Sequence, residues 1–177
     1  MVPRRWSIAG GVAVAWALYN AWVTLPVALA LADEAGPSAW VYRRWLLSPN
    51  EIVFDLRDPG PDATPGKVDR PLFLAAHALA GQSFKRIVLA YRGNPRLLLD
   101  GDRFQQIGRE WPLLDETSGV QLIMNFHHSV KYLNGSNFQC GSCSHRAGNH
   151  YAGILIHIDL HRRWWISSKS IAYGLEG

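Results

Sequence analysis

The sequence predicts an α+β protein, in which an N-terminal transmembrane helix is followed by a small ferredoxin-like domain, βαββαβ plus an extra strand. Three observations carry this. Residues Trp6 to Ala32 contain no charge. Beyond them lie short apolar runs of strand length, and between those runs lie stretches that open on helix-capping residues. The implied division is 1–32 as membrane anchor or signal segment, 33–50 as an interfacial segment, and 51–177 as one α+β domain.

At roughly 1.5 Å per helical residue the uncharged run reaches about 40 Å, enough to cross a hydrocarbon core of about 30 Å with some tilt. Arg4 and Arg5 precede it, and Asp33 and Glu34 close it. A secretory signal peptide uses the same parts: a basic start, an apolar stretch, and a small-x-small cleavage site, here Ala30-Leu31-Ala32. The length of the run and the bulk of Trp6, Trp16 and Trp22 favour a retained anchor. Positive residues favour the cytoplasmic side, so Arg4 and Arg5 place the N-terminus inside, in competition with Arg43 and Arg44. The expected location is therefore the cytoplasmic membrane, single-pass, with residues 33–177 facing outside the cytoplasm.

Trp40 to Leu47 mixes aromatic, basic and apolar residues. Indole rings favour the headgroup zone and Arg snorkels to phosphates, so Trp40, Arg43, Arg44 and Trp45 read as a short turn on the membrane or as the first packed element of the domain.

In Glu51 to Arg57, Ile52, Phe54 and Leu56 alternate with Val53, Asp55 and Arg57, which predicts a half-buried strand. Asp58 to Asp69 is rich in Pro and Gly and reads as a loop. Asp69 is suited to cap a helix with Pro71 in its first turn, running through Ala80 to a stop at Gly81. Arg86 to Tyr91 is a central strand, Asn94-Pro95 a turn, and Arg96 to Leu99 another strand. Asp102 with Gln105 reads as a capping box for a helix to Trp111. Val120 to His127 and Gly153 to His161 complete the set as strands.

Lys and Arg together number 18 against 14 acidic residues, for a net charge of +4. The basic residues are dispersed, which gives a nucleic-acid partner no support. Setting aside residues 1–32 of the 177 leaves 145, enough for one core.

Six of the seven histidines and both cysteines follow residue 120. Cys140-Gly141-Ser142-Cys143 has the spacing of a metal knuckle, a redox dithiol or a local disulfide. With His145 and His150, the cysteines supply enough donors for a tight zinc site. Ser144 stands where covalent haem attachment needs His, which excludes that cofactor. As a strand, Ile154 to His161 places His157, Asp159 and His161 on one face, about 7 Å apart, with His127 or His128 within reach on a neighbour. A polar outer face explains the same pattern. His77 reads as an ordinary core or surface histidine. Arg162, Arg163, Trp164 and Trp165 form a second candidate contact surface, or the end of the last strand with its indoles on the core.

The leading expectation is a membrane-anchored binding or assembly subunit of a membrane or envelope complex, with a protein partner and no cofactor. The alternative is a metal-binding protein or metal-dependent hydrolase holding zinc or copper through His157, Asp159, His161, Cys140 and Cys143.

Overall fold

A computed structural model describes residues 4–44, 50–113, 122, 126–140 and 149–166. The uncharged run forms one helix, α1 (Arg4–Leu31), long and apolar enough for a membrane span or a signal anchor. Its second half is also part of the domain. Val23 and Val27 enter the core, while Trp22, Leu25 and Leu29 face outward. Strand β1 (Ser38–Arg43) lies beside this half as the edge of a five-stranded sheet. Two polar residues inside the apolar run cover that edge. Asn20 Oδ1 accepts from the Arg43 N–H at 2.8 Å, and Thr24 Oγ1 donates to the Val41 carbonyl at 2.8 Å. An open edge would leave these groups unpaired.

Residues 38–43, expected in an interfacial segment, are therefore strand. Trp40 is exposed with the Arg57 guanidinium 4.6 Å from its ring centre, and Arg43 stacks on Tyr19. Arg44 pairs with Glu51 at 3.4 Å. Trp45 lies outside the described residues.

Strand β2 (Glu51–Asp58) pairs antiparallel with β1 and parallel with β3 (Arg86–Tyr91). Between them runs α2 (Pro65–Ala78). Its start differs from expectation. Thr64 is the N-cap, accepting from the Lys67 N–H, and Pro65 takes the first turn. Asp69 is thereby carried into the helix and buried.

The β3–β4 turn is Arg92-Gly93, both at positive φ, so Asn94 and Pro95 begin β4 (Asn94–Asp100) rather than forming the turn. Two central residues at positive φ suit the right-handed strand twist, and Gly takes that conformation freely. Asp100, not Asp102, caps α3 (Gly101–Glu110). Gly108 lets α3 approach α2, since a Cβ there would lie 2.1 Å from the Ala76 carbonyl oxygen. His77 reaches the Gly108 carbonyl across the same contact.

Strand β5 (Val130–Tyr132) closes the sheet, which has the sequential order β1-β2-β3-β4-β5. This is not a ferredoxin-like sheet. The βαβ unit is unsplit, because β2 and β3 are direct neighbours. Of the expected strand Val120 to His127 most lies outside the described residues, and Leu122 and Phe126 are helical; residues 153–161, the other expected strand, belong instead to a long helix, α4 (Asn149–Trp164). The main core joins Ile52, Phe54 and Leu56 of the sheet to Leu72 of α2, Phe104 of α3, and Leu160 and Trp164 of α4.

Candidate metal centre

A helix turns about 100° per residue, so positions four apart share a face and positions two apart do not. In α4 this keeps His157 and His161 together and sends Asp159 away. Asp159 pairs with Arg163 at 3.1 Å, one turn along. The carboxylate that meets the histidines is Asp69 of α2. His157 Nε2 lies 3.0 Å from its Oδ2, and His161 Nε2 lies 3.1 Å from its Oδ1. All three residues are buried, at 8%, 0% and 1% exposure for His157, His161 and Asp69. Among the described residues they are the group of His, Cys, Asp or Glu side chains close enough to hold an ion, with their donor atoms within 4.8 Å of one another.

The contacts have ion-pair distances but not hydrogen-bond directions. Neither Asp69 oxygen has a hydrogen-bond partner, nor does His161 Nε2 or His157 Nδ1. Each such buried orphan costs about 1–3 kcal/mol. A tetrahedral ion with bonds of about 2.0–2.1 Å sets its donors about 3.3 Å apart, so three donors within 4.8 Å of one another would have to draw in to close on it. Burial pushes the Asp69 carboxyl up, but the adjacent histidines, His161 foremost, outweigh this and hold it below the usual carboxylate range.

Trp165 sets a condition on the site. Its indole N–H donates to His161 Nδ1 at 2.7 Å. A neutral imidazole with Nδ1 accepting carries its proton on Nε2. Ligation through Nε2 therefore requires that proton to shift to Nδ1 and the indole to turn aside.

No family model matches this chain, and neither a curated protein nor a solved structure matches it. The site is argued from its own chemistry.

One further histidine stands nearby. His127, in the short 127–129 turn before β5, is 6% exposed, and neither of its ring nitrogens has a hydrogen-bond partner. Burial pushes its imidazole down to about 4, with the rings of His128 and His157 adding to the shift.

The other expected site residues are scattered. Cys140 is disulfide-bonded and so offers no thiolate to a metal; Cys143 and His145 lie outside the described residues. Trp164 is a core residue, with its ring 5.9 Å from Phe54 and its N–H on the Ala90 carbonyl. It therefore presents no contact surface. Arg162 and Arg163 are exposed, and Trp165 is half-buried. Sequence reasoning missed Asp69 as the carboxylate that meets the histidines. The usable signal was Thr64-Pro65, a better helix start than Asp69, which would have released that carboxylate for another role.

Proposed function

We propose that this protein is a membrane-anchored domain that binds a divalent transition-metal ion, zinc in the first instance, through Asp69, His157 and His161. The single observation that carries the reading is the buried convergence of these three donor groups. Imidazole and carboxylate together suit zinc, and the disulfide at Cys140 removes the soft ligand that copper(I) would prefer. The anchor is α1, and the basic pair Arg4-Arg5 supports a domain facing out of the cytoplasm. A disulfide fits that side, since such bonds persist in oxidising compartments.

The binding or assembly role is favoured by a separate feature, the exposed apolar side chains of α1, with Leu18, Trp22, Leu25 and Leu29 on one face and Trp16 near Trp40 on another. Such a surface suits the bilayer or an apolar partner helix.

The test is metal analysis of full-length protein, extracted in detergent, stripped with chelator and reloaded with zinc. One zinc per chain is expected, with near-complete loss in Asp69→Asn, His157→Ala and His161→Ala, and full retention in Asp159→Asn. Substoichiometric zinc in the parent, or equal zinc in all variants with unchanged circular dichroism, overturns the reading.

A further inference from the structure

Whether a metal centre is structural or catalytic depends on its fourth position. A closed four-ligand zinc site ties elements together, whereas a catalytic one keeps a place for water. We infer that His127 is the fourth ligand, which makes this centre a structural clamp joining α2, α4 and the 127–129 turn rather than a hydrolytic site. The inference rests on the metal reading above and extends it.

Three observations carry it. The 127–129 turn packs on α4, the helix that bears both other histidines, close enough for the His127 and His157 rings to interact electrostatically. Its ring is buried, yet both nitrogens lack any hydrogen-bond partner, a costly arrangement for a polar side chain in a core. No hydrogen bond has to break for the ring to turn toward the other donors. As placed it stands outside the set of atoms within 4.8 Å, so ligation requires the ring or its turn to move toward the other donors. His128, its exposed neighbour, has no such constraint and serves as a built-in control.

With three imidazoles and one carboxylate the sphere is complete. Its net charge with a divalent ion is +1, small enough to be held in a buried site. No position remains for a water to be activated, so the reading excludes the metal-dependent hydrolase expected from the sequence.

The experiment loads the full-length, chelator-stripped protein with cobalt(II) and records its visible spectrum, then determines imidazole count on the zinc form by X-ray absorption. The expected results are intense tetrahedral cobalt bands and three imidazoles in the parent. In His127→Ala the bands should weaken as water enters, and affinity should fall by more than the roughly 10–100-fold that loss of an outer-shell partner costs. His128→Ala should match the parent. Two imidazoles in the parent, or a His127→Ala spectrum and affinity equal to the parent's, overturn the clamp while leaving the metal site standing. A parent that binds neither ion fails the metal reading itself. The imidazole count needs no variant, so it decides the matter even if His127→Ala does not fold.

Discussion

Among the described residues two carboxylates are buried, Asp55 on β2 and Asp69 on α2, and their surroundings are opposite in kind. Asp55 is surrounded by donors. The Gly93 N–H reaches its Oδ1 at 2.9 Å, and Arg57 Nη2 and the Tyr42 hydroxyl reach its Oδ2 at 2.9 and 3.5 Å. Asp69 faces only two imidazoles, His157 Nε2 at 3.0 Å and His161 Nε2 at 3.1 Å, in contacts that fall short of hydrogen-bond geometry. One carboxylate is neutralised and fully hydrogen-bonded, so it fastens the β3–β4 turn to β2. The other is faced by imidazoles alone, whose ring nitrogens either donate a proton or offer a lone pair according to their protonation. That donor set is what the proposed metal site rests on.

The comparison breaks first at the metal. Asp55→Ala should leave zinc stoichiometry untouched, whereas Asp69→Asn should abolish it; zinc lost in both, with both folded, would mean the two sites are not separate. Stability should fall in both. Removing Asp55 strands the Gly93 N–H and unpairs Arg57, which costs about 1–3 kcal/mol and lowers the denaturant midpoint. In chelated protein Asp69→Asn removes the charge that the adjacent histidines stabilise and should cost more, about 3–5 kcal/mol, as when one partner is taken from a buried pair. A near-neutral Asp69→Asn would mean that the histidines beside it are uncharged.

The two aspartates also differ in how readable they were. Asp55 sits in a strand whose alternation of Ile52, Phe54 and Leu56 is a purely local signal, and β3, β4 and α3 were legible for the same reason. β1 was not, because its identity comes from pairing with β2 and from Asn20 and Thr24 on a distant helix. α4 failed for a different cause. Ile154 to His161 alternates apart from Leu155, and the same letters place His157 and His161 at i and i+4. Period 2 and period 3.6 cannot be separated over eight residues, and length is the arbiter, with helices running past about ten. The element is 16 residues long. Choosing the strand brought in Asp159, and choosing Asp69 as a cap removed the carboxylate that α4 faces. The histidines were legible from the sequence; their partner required the packing of α2 against α4.

The smallest effect sharpens the comparison most, because it concerns what competes with a metal for Asp69's neighbours. The Trp165 indole N–H occupies His161 Nδ1 and so holds the ring in the tautomer that blocks Nε2. Second-shell partners of metal-bound histidines usually accept from the far nitrogen, and an indole can only donate. Trp165→Phe keeps a ring over the half-buried position and deletes the donor. Losing one neutral hydrogen bond frees about 1 kcal/mol, so zinc affinity should rise about fivefold, read by competition with a chelating dye. The same substitution leaves Asp55 and its partners unaltered, so the denaturant midpoint of chelated protein should shift by no more than that single bond. Weaker zinc binding in Trp165→Phe would mean that the indole orients His161 for the ion instead of opposing it, and would reverse the tautomer argument while sparing the ligand set.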